Sequence, residues 1–264
     1  MKPDNELIVH TIPEKEVLVI MVADVHLGAI EHNATKWSQF VKWVQDNPNV
    51  YICLGGDLVN NSIRSSMANP FDETMRPAEQ KRVMIDHLMP IKERILCAVS
   101  GNHEYRSTRE ADSDITYDIM AKMDIEELYR PNIAYIVLRL GSRTDDQKHA
   151  RTSWNIVVTH GAGAGMLLGS GINRSDRFMG GIEGADVLLT GHTHKGSVVK
   201  TKRLVIDSRN TFIREREQIM VTTTSWMEYG GYAARKMLAP TTTGNPPMVK
   251  LGGDHTCKKM QVIW

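Results

Sequence analysis

The chain has 264 residues, the length of one large domain or two small ones. Its composition, 41% hydrophobic and 24% charged, is that of an ordinary globular protein, which excludes collagens, coiled coils, disordered chains and multi-span membrane proteins. The 32 Lys and Arg residues balance the 31 Asp and Glu residues, so the net charge of +1 does not favour binding to nucleic acid or membranes through overall charge. The chain also contains 10 His residues, the side chain that most often binds transition metals.

Five short apolar runs predict buried β-strands. They cover residues 17–22, 49–54, 95–99, 155–159 and 186–189. Continuous apolar runs, rather than alternating ones, are typical of strands covered on both faces, as in α/β proteins. Between them, apolar residues at helical spacing predict helices around residues 37–44, 84–95 and 115–123, the second with Pro77 in its first turn.

The rest of the chain shows weaker patterns. Residues 60–76 lack periodicity and are predicted to form a long loop. After Lys195, short apolar runs predict the strands of a second sheet, at residues 198–199, 204–206, 219–221 and 260–263. No linker or repeat interrupts the sequence. We therefore expect one domain over residues 1–264, with the strand–loop units at about 17–195 and the second-sheet strands at about 196–264.

The cysteines and the first residues of the chain bear on its location. Cys53 and Cys97 lie inside predicted strands, and no CxxC pair occurs, so we expect reduced thiols rather than disulfides. The first apolar run is too short to span a membrane, and no apolar signal segment precedes it. These features predict a cytoplasmic protein without a membrane partner.

Polar residues follow each of the five predicted strands. The loops read Asp24-Val25-His26, Gly56-Asp57, Gly101-Asn102-His103-Glu104, His160-Gly161 and Gly191-His192-Thr193-His194. In α/β sheets, the carboxyl ends of the strands form the crevice where ligands bind. Carboxylate, imidazole and amide oxygen together suit Mn, Fe, Zn, Ni or Co. There are more candidate ligands than one ion needs, so the sequence predicts two divalent ions, which in such sites lie about 3.5–4 Å apart and act on phosphate esters.

The ordered set of motifs over residues 24–194 resembles the calcineurin-like metallophosphoesterases. The resemblance implies an α/β fold in which two mixed β-sheets pack face to face and are flanked by helices, a four-layer αββα sandwich. It also implies hydrolysis of phosphate esters by a metal-bridging hydroxide, with two divalent ions, for which Mn is the first candidate. Carried over to this sequence, it assigns Asp24, His26 and His194 to one ion, Asn102, His160 and His192 to the other, Asp57 as the bridge and His103 as the general acid.

The second motif departs from the pattern of the protein phosphatases in this family, Gly-Asp-x-Val-Asp-Arg-Gly. Here Asn60 and Asn61 stand where that pattern has Asp and Arg. The departure argues against a phosphoprotein phosphatase and leaves the partner of His103 open. We therefore favour a phosphodiesterase or nuclease, with a phosphomonoesterase acting on small molecules or nucleotides as the alternative. Asn60 and Arg106 are candidate substrate-binding residues.

The sequence leaves more than one interpretation open for several features. Glu104 either orients His103 or a neighbouring ligand, or caps a turn. Arg174 and Arg177 could meet substrate phosphate, but solvated surface arginines are the preferred interpretation. The basic stretch at residues 195–216 is either a solvated strand face or a nucleic-acid-binding rim. A non-catalytic metal-binding scaffold and a nucleic-acid-binding module are the less favoured functions.

Residues 161–165 do not fit a dinucleotide-binding GxGxxG loop. The remaining histidines are expected to be surface or core residues: His10, His32, His87, His149 and His255.

Overall fold

Twelve strands and six α-helices make up the part of the chain that the computed structural model describes, residues 4–64, 66, 70–141, 151–163, 167–253 and 257–264. One six-stranded sheet has the order β1 (Ile8–Ile12), β6 (Ile133–Leu140), β7 (Thr152–Thr159), β8 (Val187–Thr190), β10 (Phe212–Thr222), β9 (Ser197–Asp207). We call it sheet A. The other, sheet B, has the order β12 (Lys258–Ile263), β11 (Met248–Gly253), β2 (Glu16–Val22), β3 (Val50–Leu54), β4 (Ile95–Val99), β5 (Tyr129–Arg130). Both sheets contain parallel and antiparallel pairs.

The helices are α1 (Ala34–Asp46), α2 (Pro77–Leu88), α3 (Asn102–Ala111), α4 (Ile115–Lys122), α5 (Leu168–Gly180) and α6 (Gly231–Arg235). Short 3-10 turns cover Pro70–Asp72, Met89–Arg94 and Glu126–Leu128. The three predicted helices correspond to α1, α2 and α4, and Pro77 begins α2, where its missing N–H costs no hydrogen bond. None of the helices in the described ranges is long and apolar enough to cross a membrane.

The hydrophobic core lies in three layers. Alternate residues of β2 show why its sequence is continuously apolar, since Val19 and Met21 face sheet A while Ile20 and Val22 face the helices. The central layer joins the two sheets. Outside it, α1, α2 and α4 cover sheet B, and α5 covers sheet A through Met179. The chain is therefore a four-layer αββα sandwich, which confirms the predicted fold class.

The prediction that the strands after residue 196 form a second sheet of their own is wrong. Instead, β9 and β10 extend sheet A beside β8, whereas β11 and β12 extend sheet B beside β2. The five predicted strands are divided in the same way, three in sheet B and two in sheet A. The pattern of apolar residues shows that a strand is buried but not which neighbour it pairs with, so the assignment to sheets was not visible in the sequence.

The thiols of Cys53 and Cys97 are buried and not oxidised to a disulfide, as predicted. Burial raises the pKa of Cys97 well above its ordinary value. Both residues face the core between the sheets. They act as small core side chains rather than as reactive groups.

Candidate metal centre

The carboxyl ends of strands from both sheets meet at one edge of the sandwich. Parallel pairing aligns the ends of β2, β3 and β4 in sheet B and the ends of β7 and β8 in sheet A. The loops after these strands, together with the first turn of α3, carry all seven predicted metal ligands and His103. Sheet B supplies Asp24, His26, Asp57, Asn102 and His103, and sheet A supplies His160, His192 and His194.

One set of atoms, the first ligand group, comprises Asp24, His26 and His194. Their ligating atoms lie within 4.8 Å of one another. Asp24 Oδ1 is 3.3 Å from His194 Nε2, and His26 Nε2 is 3.3 Å from the same nitrogen. The group therefore joins a loop of sheet B to a loop of sheet A.

The second ligand group comprises Asp57, Asn102, His160 and His192. His160 Nε2 lies 3.4 Å from Asp57 Oδ2, 3.1 Å from Asn102 Oδ1 and 3.1 Å from His192 Nδ1. Asp57 Oδ2 is also 3.9 Å from His26 Nε2 of the first ligand group. One carboxylate thus lies within 3.9 Å of histidines from both groups.

The donor atoms fit divalent cations. Asp24 Oδ1, which belongs to the first ligand group, is buried without a hydrogen-bond partner, although buried polar atoms are almost always bonded. Imidazole nitrogens from different loops face each other at 3.1–3.3 Å. Imidazole nitrogens and carboxylate oxygens that converge this closely are suited to share a cation.

The backbone of the ligand loops is held in an unusual conformation. Asp24, His26, Asp57, His192 and His194 all have φ between 48° and 69°, in the left-handed region that residues other than glycine rarely adopt. Each such residue costs of the order of 1–3 kcal/mol and persists where the surrounding structure enforces it, most often at functional sites. The strained backbone therefore lowers the stability of the folded chain while it directs these five side chains toward one point.

The charges of the two groups depend on one another. Burial alone would raise the pKa of Asp57, but the facing rings of His103 and His160 lower it well below its ordinary value. Burial lowers the pKa of His160, yet Asp57 and Asp24 outweigh burial and raise it to about 10. The raised pKa favours the protonated ring of His160, and a cation that bound its Nε2 would displace the proton.

His103 lies between the first ligand group and the loop after β3. Its Nδ1 bonds to the backbone oxygen of Asn60 at 2.7 Å, and its Nε2 is 3.8 Å from Asp57 Oδ2. Burial lowers the pKa of His103, and the guanidinium of Arg106 lowers it further, against the opposing effect of Asp57. The partner that the sequence left open is therefore a backbone carbonyl, which fixes the ring with Nε2 toward the ligands.

The carboxylate of Glu104 is fully buried and accepts four backbone hydrogen bonds. Oε2 accepts from the N–H groups of Asp57 and Gly101 at 2.8 and 3.0 Å, and Oε1 from those of Leu58 and Val59 at 2.6 and 3.2 Å. Burial and the nearby Asp57 raise the pKa of Glu104 to about 7, whereas these N–H groups favour the ionised form. Glu104 therefore both caps α3 and holds the loop of Asp57 against the loop of Asn102.

The candidate substrate-binding residues lie beside this loop. The Asn60 carboxamide donates to Glu73 at 3.0 Å, so its side chain is bound within the loop at 60–76. Arg106 Nη1 lies 3.4 Å from both Asn60 O and Ser66 Oγ. The carboxamide of Asn61 donates to His103 O at 2.7 Å and supports the start of α3.

The other histidines and the basic stretch lie outside the two ligand groups. His10 and His32 bond to backbone carbonyls, and His87 accepts from Trp37 Nε1. His149, His255 and the last two residues of 161–165 lie outside the described residues. On the basic stretch, three cations are paired with acids on β10 or at the start of β8: Lys200 with Glu217, Lys202 with Glu215, and Arg216 with Asp186. These pairs leave less free positive charge there than the sequence suggests.

Comparison with known proteins assigns the chain to a family. The sequence profile of the calcineurin-like phosphoesterases matches residues 17–196, which include every residue of both ligand groups. A comparison with curated proteins finds no match. Among solved structures, one similar chain is a conserved uncharacterized protein of Streptococcus pneumoniae TIGR4, described as a predicted phosphoesterase. It is 12% identical, with 94% of this chain and 89% of that chain covered and a TM-score of 0.38. On the match over residues 17–196, which is more than half of its length, this chain belongs to the calcineurin-like phosphoesterase family.

Proposed function

We propose that this phosphoesterase is a phosphodiesterase or nuclease that works with two divalent ions, Mn first among them. The observation that carries the proposal is the meeting of the two ligand groups at Asp57, whose Oδ2 lies 3.4 Å from His160 and 3.9 Å from His26. When bound, two divalent ions would polarise the phosphoryl group and lower the pKa of water. The protein's own contribution is to hold the ions and orient the ester.

His103 is proposed to donate the proton that the leaving oxygen needs. Its Nδ1 is occupied by Asn60 O, so Nε2 is the nitrogen that faces the ligands. A general acid placed in this way contributes typically 10²–10⁴-fold to the rate. The negative charge of a bound phosphate ester opposes the effect of burial on the pKa of His103 and so favours its protonated form.

The preference for diesters follows from the charge of the substrate. A phosphate monoester carries about two negative charges near neutral pH and a diester carries one. The position where the protein phosphatases have Arg is Asn61 here, and its carboxamide is used by His103 O and Ser107 Oγ. The site therefore has one cationic side chain fewer at this position than the protein phosphatases, and it suits the singly charged diester better.

The test is a comparison of esters by the purified chain loaded with Mn. We expect cleavage of bis-p-nitrophenyl phosphate, a cyclic nucleotide or single-stranded DNA at a higher kcat/KM than p-nitrophenyl phosphate, with chelator-treated protein as the control. A higher kcat/KM for the monoester would support the phosphomonoesterase alternative. Metal-loaded protein that cleaves none of the three diesters would overturn the proposal.

A further inference from the structure

A cavity of about 170 Å³ opens beside the second ligand group, between α5 and the carboxyl ends of β7, β8 and β10. Gly161 and Gly191 form part of its lining, and each adjoins a ligand in the chain, His160 and His192 respectively. The cavity therefore adjoins the loops that carry the second ligand group.

The walls of the cavity suit an aromatic ring. Ile133 and the ring of Phe178 contribute apolar surface. Thr190 Oγ1 donates to Val221 O and lies 3.0 Å from Thr222 Oγ1, so the two hydroxyls offer a ligand acceptor lone pairs rather than free protons. An engineered cavity of about 150 Å³ is known to hold one benzene molecule, so the volume here accommodates one six-membered ring. Stacking of a base on an aromatic side chain is the usual way in which proteins hold an unpaired base.

The side chain of Arg174 lines the same cavity. Among the described residues, none forms an ion pair with Arg174 of α5. Its guanidinium lies over Gly163, where an added Cβ would be 3.4 Å from Cζ. A planar guanidinium is well suited to bind phosphate oxygens with two parallel hydrogen bonds.

We propose that the cavity binds the base of a pyrimidine nucleotide unit, with Arg174 contacting its phosphate. The inference deepens the proposed function and rests on it for the phosphate ester at the metal centre. A single-ring base fits the volume, the threonine hydroxyls meet its polar edge, and Phe178 meets its face. The substrate class is then a pyrimidine nucleotide diester.

A matched pair of glycine substitutions on α5 tests the cavity. Gly171 lines it, and an added Cβ there would meet Thr193 Cγ2 at 3.4 Å, so Gly171→Leu fills the space without a severe clash. Gly169→Leu is the control, since a Cβ at that position meets nothing within 4 Å. Both remove a helical glycine, which does not weaken the helix. Equal thermal unfolding midpoints would show that both variants fold.

Binding is measured first, without added metal, by titrating thymidine 5′-monophosphate into each protein in a calorimeter. We expect Gly171→Leu to weaken binding at least tenfold, Arg174→Ala to weaken it as well, and Gly169→Leu to leave it unchanged. 2′-Deoxyadenosine 5′-monophosphate, which differs only in its base, should bind more weakly than the thymidine compound to the unsubstituted protein. Equal binding by the two leucine variants, or equal affinity for both nucleotides, would overturn the proposal.

Kinetics then separate this inference from the proposed function. Two esters share the p-nitrophenolate leaving group, the p-nitrophenyl ester of thymidine 5′-monophosphate and methyl p-nitrophenyl phosphate. We expect Gly171→Leu to raise KM at least tenfold for the first and less than twofold for the second. Equal changes for both esters would overturn the assignment of the cavity. If the unsubstituted, metal-loaded protein cleaves neither ester while Gly171→Leu abolishes nucleotide binding, the diesterase function is wrong and the binding cavity is supported.

Discussion

Replacing Glu104 with Gln tests whether one buried carboxylate holds the ligand loops together. Each oxygen accepts two backbone hydrogen bonds, Oε2 from Asp57 and Gly101, and Oε1 from Leu58 and Val59. Whichever oxygen becomes an NH₂ group, two N–H donors lose their acceptor and face another donor. A buried hydrogen bond to a charged group contributes about 1.5–3 kcal/mol. Above the pKa of about 7, where Glu104 is ionised, the loss is therefore about 3–6 kcal/mol before the loops relax. That is a large share of a typical stability of about 5–15 kcal/mol.

The assay is urea unfolding of metal-free protein, followed by tryptophan fluorescence, together with a Mn titration. Glu110→Gln is the matched control, since it makes the same chemical change at an exposed position of α3. We expect Glu104→Gln to lower the unfolding midpoint sharply and to weaken Mn binding by about 10–100-fold, as for other residues that support metal ligands. A midpoint and Mn affinity equal to those of Glu110→Gln would refute the reasoning.

Three further predictions concern the centre itself. His103→Gln should lower kcat by about 10²–10⁴-fold and leave the metal content at the wild-type level, measured by inductively coupled plasma mass spectrometry; loss of the ions would contradict its role as general acid. Asp57→Asn should reduce the bound Mn below two equivalents, because the carboxylate shared by the two ligand groups is lost; full occupancy would exclude the bridging role. Because the pKa of His160 is raised to about 10, Mn binding should release protons and tighten as the pH rises toward 10. Calorimetry in buffers of different ionisation enthalpy measures that release, and no dependence on the buffer would contradict it.

The helices of this fold differ in how well the sequence predicts them. α1 shows a clear apolar face, with Trp37 and Val44 buried. α5 also separates its apolar residues from its polar ones, but it contains three glycines and several short polar residues of low helix propensity, so the sequence favours a helix there only weakly. Packing of Met179 and Phe178 on sheet A, which is tertiary contact, stabilises it. α3 was missed because it begins at Asn102, inside a motif that was interpreted only for its chemistry.

The residues of the candidate site were easier to predict than their partners. Asp24, Asp57 and His160 follow buried strands, and parallel pairing brings strand ends to one edge whatever the order of the strands. The partner of His103 is different, because the oxygen it bonds is the backbone carbonyl of Asn60. Every residue has a carbonyl oxygen, so such a partner leaves no trace in the choice of amino acid. The side chains alone therefore show that Asn60 stands where the protein phosphatases have Asp, but they do not reveal the partner of His103.

The division of the ligands between the two sheets explains how this edge of the sandwich is built. Each ligand group takes side chains from both sheets, so the distance between the sheets sets the size of the centre. At Gly191 the sheets approach so closely that an added Cβ would lie 2.6 Å from the Cβ of Ala23 and 2.8 Å from Asp24 Oδ2. Any side chain there would push the loop of His192 away from the loop of Asp24. Glycine at this position therefore allows the two sheets to bring the side chains of both ligand groups close together.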